Sequence, residues 1–314
     1  MIAAACPRLL SHHRAPPGRG DVVYPAYWIA AATLIVVTLL GVPLGQPAAV
    51  AGATIVFIGG GLPHGAYDIA LLRRSAALGR FGVCLVVSGY AGTALLMALL
   101  WMTLPLAALL VFLAVASLHF GEDWQMLEEP LLRFAAGAAV IAAATLGHHA
   151  EVSALFVEMS DPRAAVIAQI ITAAAPVALL VTMVGIAIAW RDGSRHWAAA
   201  MAVCLVLLVV LPPVAGFALF FVFLHSPRHL AQTRALLSGM TFVRWLLTGA
   251  LLSGAAIIGW WGLRTLAPSE FDPTFVAQAF QLLASVALPH LLLSRWLESR
   301  LVAAPPVQER ISIA

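Results

Sequence analysis

The stretch VAGFALFFVFLHSPRH, residues 214–229, decides how the rest of the chain is read. An uncharged run, Val214 to Leu224, leads straight into His225-Ser226-Pro227-Arg228-His229. On a helix, residues four apart share one face, so His225 and His229 stand one turn apart on the same side. Imidazoles in apolar surroundings cost free energy unless they are partnered. A metal ion can satisfy both at once, because neutral imidazole is a common ligand for iron, copper and zinc. The alternative is local: one histidine bonds a neighbouring carbonyl and the other caps the helix. Three other apolar segments carry a histidine at comparable depth, and this favours the metal.

The composition places those segments in a membrane. Of 314 residues, 62% are apolar and 10% are charged, and the mean hydropathy is +0.97. Soluble domains carry roughly 25% charged residues. The length accommodates about ten spans of roughly 20 residues and leaves no room for a second, soluble domain. No basic arm or aromatic-basic patch points to nucleic acid. The 17 cationic side chains are all arginine. Cys6, Cys84 and Cys204 are widely spaced, form no CxxC and read as buried free thiols. The first apolar run shows no small-residue cleavage site, so it reads as a retained span.

Working outward, ten apolar runs emerge: 27–45, 48–72, 81–102, 104–122, 131–147, 164–190, 197–211, 214–230, 243–263 and 275–297. With a cytoplasmic N-terminus, ten crossings leave only Arg163 and Arg264 outside and put the other arginines inside. That bias is what the positive-inside rule requires. The expected fold is therefore all-α: a polytopic helical bundle in the cell (inner) membrane, with both termini cytoplasmic. Residues 1–26 form a cytoplasmic tail, 27–297 the transmembrane helical domain and 298–314 a second cytoplasmic tail. Trp28, Trp101, Trp124, Trp190, Trp197 and Trp296 fall near span ends, as an interfacial belt does.

Ten histidines divide into two sets. His12, His13, His148, His149 and His196 fall in tails, loops or a span start and read as solvent or headgroup residues. His64, His119, His225, His229 and His290 all fall late in even-numbered spans, which run in the same direction. At about 1.5 Å rise per residue they occupy one layer, on the cytoplasmic side of the midplane. Ionisable residues at such depth face the bundle interior and mark function. Pro63 precedes His64 and Pro289 precedes His290, and proline inside a span frees a carbonyl and bends the helix. Asp68 lies four residues after His64, on the same helical face, and can orient an imidazole. Glu122 and Asp123 follow His119. They can do the same, or they are exit charges pairing with Arg228 or Arg133.

A histidine set with nearby carboxylates suits iron(II), and less uniquely copper or zinc. A membrane transporter or sensor of metal or protons is the rival. No carboxylate relay crosses the outer half of the spans to support it. A third alternative is a non-catalytic binding protein.

The stretches Pro63-His64-Gly65-Ala66-Tyr67-Asp68, His119-Phe120-Gly121-Glu122-Asp123-Trp124, His225-Ser226-Pro227-Arg228-His229 and Pro289-His290 resemble, in order, the motif set of the Brp/Blh family. These are membrane-bound bacterial and archaeal β-carotene 15,15′-dioxygenases. The resemblance covers about residues 55–297. It implies cleavage of the central double bond of β-carotene by O₂ to two all-trans-retinal, with Fe(2+) as cofactor. It implies His64, His119, His225 and His229 as metal ligands, and His290 beside them or in the substrate wall. It also implies a functional link to a retinal-binding rhodopsin. β-Carotene is wholly apolar and dissolves in the bilayer, so shape must select the bond that is cut. Tyr67, Phe120, Trp124, Phe220, Phe221 and Phe223 are candidate lining, with ordinary packing as the alternative for each.

Overall fold

A computed structural model describes residues 23–75, 79–266 and 273–303. Among these, every regular element is helical. The helices are α1 (Pro25–Leu39), α2 (Pro47–Gly61), α3 (Asp68–Ser75), α4 (Arg80–Thr103), α5 (Pro105–Gly121), α6 (Pro130–Gly147) and α7 (His149–Met159). They continue with α8 (Ala164–Arg191), α9 (Arg195–Val210), α10 (Pro213–Ala218), α11 (Ser226–Leu236), α12 (Phe242–Leu266) and α13 (Phe275–Ala303). A 3₁₀ turn, Leu62–Tyr67, joins α2 to α3, and a π-helical turn, Leu219–His225, joins α10 to α11. Helices α1, α2, α5, α6 and α10 open on proline. Its missing N–H is no loss in a first turn, and its fixed φ starts the helix.

This is a helical membrane protein. Seven described helices are long and apolar enough to cross a bilayer, counting the rods 47–74 and 213–236 as continuous. Three more apolar helices, α1, α5 and α9, have 15, 17 and 16 residues. These ten rods match the ten apolar runs of the sequence. The short connections expected after the third and seventh runs are real. Leu104 alone separates α4 from α5, and Leu211-Pro212 separate α9 from α10.

Three expectations are corrected. The loop 148–163 contains α7, whose Val152, Phe156 and Met159 recur at helical spacing and are buried. Trp101, Trp124 and Trp197 are not interfacial anchors but buried core residues, and the last two pack edge to face at 4.9 Å. Cys84 is exposed on α4, whereas Cys204 is buried as expected. Cys6, His12, His13 and the first three arginines lie outside the described residues.

Small residues set the helix spacing. At Gly137, a Cβ would lie 2.0 Å from the Ser117 carbonyl oxygen and 2.5 Å from the Gly121 nitrogen. Only glycine lets the α5 and α6 backbones come this close, the usual basis of tight packing where lipid offers no hydrophobic drive. Helices α5, α6, α8 and α9 form the densest part of the bundle. By contrast α4 and α12 bury few of their residues and expose about half.

Candidate functional site

Five imidazoles converge where the helices are least regular. His64 sits on the 3₁₀ turn, which Pro63 favours by removing a helical donor. His119 lies in the last turn of α5, and His225 ends the π-helical turn. His229 is in the first turn of α11, and His290 follows Pro289 on α13. Gly61 lets this assembly close, because a Cβ there would meet the Phe221 ring at 2.1 Å. The His64 ring centroid lies 5.8, 5.6, 6.0 and 5.1 Å from those of His119, His225, His229 and His290.

Four of the five are held by Nδ1. His225 Nδ1–H donates to Asp123 Oδ2 at 2.7 Å, and His290 Nδ1–H to Asp68 Oδ2 at 2.7 Å. His119 Nδ1–H donates to Glu122 Oε2 at 2.9 Å. His64 Nδ1–H donates to the Gly61 carbonyl. A carboxylate or carbonyl can only accept, so these bonds fix the proton on Nδ1 and leave Nε2 as a lone-pair donor to the site. His225 Nε2 and His119 Nε2 then face each other at 3.1 Å. Two lone pairs at that distance repel unless a cation lies between them. The separation suits two nitrogens bound to one ion at about 2.1 Å each.

The donor atoms of His64, His119 and His225 all lie within 4.8 Å of one another, as do those of Asp123, His225 and His229. The Nε2 atoms of His229 and His290 are buried without a hydrogen-bond partner. Buried imidazole nitrogens left open in this way are what a metal site requires. The donor set therefore fits a metal ion.

The carboxylates divide differently from the sequence expectation. Asp68 serves His290 rather than His64. At about 3.0 residues per turn in a 3₁₀ turn, positions i and i+4 no longer share a face. Asp123 is 3% exposed and is shared by His225, His229 Nε2 (3.8 Å) and Arg228 (3.8 Å). Arg228 also donates to the Asp123 carbonyl and lies over the Trp197 ring. Glu122 faces Arg295 as well as His119. Arg133 donates to the Leu127 and Glu128 carbonyls rather than to either carboxylate. His148 pairs with Glu151, His149 bonds Thr172, and His196 is exposed, all outside the cluster.

Beside the cluster lies a cavity of about 440 Å³ with an almost wholly apolar wall. His64, His119 and His290 border it, and α4, α5, α12 and α13 supply most of the rest. Phe120 and Phe221 line it as expected, but Tyr67, Trp124, Phe220 and Phe223 do not. Tyr67 stacks on Trp245 at 3.7 Å and donates to its carbonyl. Trp124 packs on Trp197, and Phe220 packs behind His225 and Phe120. On a helical turn only one face reaches a given wall, and Phe221 occupies it.

Sequence reasoning missed the opposite wall. Ala91 and Leu95 on α4, and Ala255 and Gly259 on α12, both line the cavity and are exposed on the outer surface. They form an opening towards the region lipid would occupy. Tyr90, whose hydroxyl lies against the Asp68 carboxylate, and Trp260 were also missed. Small and apolar residues carry no chemical signature to find them by.

A relative from an uncultured marine bacterium (66A03), described as a β-carotene 15,15′-dioxygenase, is 26% identical over 257 residues. The match covers 77% of this chain and 90% of the relative. No solved structure matches. A sequence profile of the family described as Beta-carotene 15,15′-dioxygenase matches residues 53–298. That span encloses all five clustered histidines and every helix that walls the cavity, and the chain belongs to the β-carotene 15,15′-dioxygenase family.

Proposed function

We propose that this chain cleaves the central 15,15′ double bond of β-carotene with O₂ to give two all-trans-retinal. One observation carries the proposal: a buried set of imidazoles opens onto a large apolar cavity within the family-matched region. His64, His119, His225 and His229 hold the metal, and His290 stands against it. The metal is iron(II), which suits neutral imidazoles that leave positions open. When bound, it supplies the activation of O₂.

The chain's own residues do the rest. Glu122, Asp123 and the Gly61 carbonyl hold Nδ1 protons and thereby aim Nε2 at the ion. Asp68 orients His290 in the same way. The apolar wall excludes water and holds the polyene by shape, since the substrate offers no polar handle. Phe120 and Phe221 place aromatic rings edge-to-face against the imidazoles of His225 and His64.

The topology proposed with this function has ten crossings in the cell (inner) membrane and both termini cytoplasmic. Arginine asymmetry supports it. Residues 27–297 form the catalytic domain between two tails. The retinal product is matched to a retinal-binding rhodopsin as its consumer.

The test is expression in bacteria that accumulate β-carotene, with the double variant His225→Ala, His229→Ala as control, followed by chromatography of extracted pigments. Loss of β-carotene with O₂-dependent appearance of retinal, absent in the control, is the expected result. Well-expressed protein with unchanged β-carotene would exclude it as substrate.

A further inference from the structure

We infer that the cavity is a half-length ruler: it admits one half of a carotenoid, and Trp260, the bulky buried side chain near its far end, sets which double bond meets the histidines. The inference rests on the reaction proposed above. It starts from the positions of the lining residues along their helices. Gly249 on α12 lies at the level of the histidine turn, since a Cβ there would touch the Tyr67 hydroxyl and Pro63. Trp260 is eleven residues further along α12, about 16 Å at ~1.5 Å per residue. On α13 the lining runs from His290 back to Leu282, about 12 Å by the same rise. On α5 it runs from His119 back to Phe112, about 10 Å. All three helices give a depth of roughly 10–16 Å from the imidazoles to the level of Trp260, Phe112 and Leu282, and on α12 the half-buried Leu263 alone lines the cavity beyond Trp260.

β-Carotene is about as long as the bilayer core is thick, ~30 Å. Half of it matches the cavity, and the whole does not.

The far end is firm. Trp260, Phe112, Ala98 and Leu282 are all buried, whereas Ala91, Leu95, Ala255 and Gly259 along the side are exposed. A ring-bearing end pressed against Trp260 therefore stops in a fixed place, and the bond one half-length away lies at the imidazoles. Either central or displaced cutting breaks one C=C bond and places one oxygen of O₂ on each carbon, so carbons and oxygens balance without a further reductant.

Two experiments on the full chain test this. The wild type is given β-carotene and, separately, the one-ringed C30 aldehyde β-apo-8′-carotenal. Retinal is the expected ring-bearing product from both, because the wall measures from the ring and is blind to the other end. Retinal from β-carotene with a displaced cut in the C30 aldehyde would overturn the ruler alone. No retinal from either would overturn the parent reaction and the ruler with it.

In the second experiment, Trp260→Leu deepens the cavity and Ala98→Phe shortens it. The first is expected to send part of the cut to the neighbouring 13,14 bond, giving a C18 ketone and a C22 aldehyde with metal content unchanged. The second is expected to lower kcat/KM at least tenfold with metal content unchanged. Metal-replete, folded variants that both make only retinal at the wild-type rate would overturn the inference. The C30 aldehyde decides the matter if neither variant folds.

Discussion

Asp123→Asn changes one atom at the point where three cationic or proton-bearing groups meet. The carboxylate accepts from His225 Nδ1 at 2.7 Å and lies 3.8 Å from both Arg228 Nη1 and His229 Nε2. The amide is nearly isosteric, so packing survives. Its oxygen can still accept from His225, but without the charge that makes the imidazole a stronger ligand. Changes to such supporting carboxylates cost 10–100-fold in metal affinity, or about 1.4–2.8 kcal/mol. If the amide instead turns its NH₂ towards Nδ1, the imidazole proton moves to Nε2. That proton then fills the 3.1 Å gap to His119 Nε2, and affinity falls further. Competition against a calibrated chelator in detergent, read by metal content, measures the affinity. A thermal melt of the metal-free protein measures the fold. The expected result is a loss of at least tenfold in affinity with the melting temperature nearly unchanged. Wild-type affinity in a folded Asp123→Asn protein would show that this carboxylate does not support the site. Asp123→Ala should instead destabilise the fold by about 3–5 kcal/mol, because it strands Arg228 beside a buried donor.

Three further predictions follow from the geometry. His290→Ala should retain part of its metal while losing rate, checked by metal content and single-turnover retinal yield; metal loss equal to that of His225→Ala would make His290 a ligand. Gly137→Ala should force the α5 and α6 backbones apart and cost about 1–3 kcal/mol, read as a lower melting temperature, whereas an unchanged melt would contradict the close approach. Gly259→Trp meets nothing within 4 Å of its Cβ, so it should leave the melt and the metal unchanged. It should slow β-carotene turnover by narrowing the opening between α4 and α12, and full turnover would mean that substrate enters elsewhere.

The sequence carried the membrane fold because hydropathy acts over whole segments, and its ten runs appear as ten apolar rods among the described residues. It missed α7 because an eleven-residue helix with three buried side chains barely rises above a loop in hydropathy. The histidine layer was legible for a simple reason: an ionisable side chain at depth is rare, and five at one depth must meet. Their partners were harder. Asp68 was assigned to His64 by counting along an α-helix, but the chain there is a 3₁₀ turn, and the carboxylate points to a histidine 222 residues away. The lining was largely misjudged. Aromatics drew attention, yet Tyr67 and Trp124 pack within the protein, while the cavity wall on α4 and α12 is made of alanine, leucine and glycine. Those residues look alike whether they face lipid, a neighbour or an empty space.

The bond between His290 and Asp68 joins the last described helix to the first motif of the chain. A ribosome delivers spans to the membrane in order, so His64, His119, His225 and His229 are all inserted before α13 emerges. Until then the cavity lacks one wall, and Asp68 has no imidazole to hold. A nascent chain stalled before Phe275 therefore holds four of the five clustered histidines but lacks the α13 wall of the cavity.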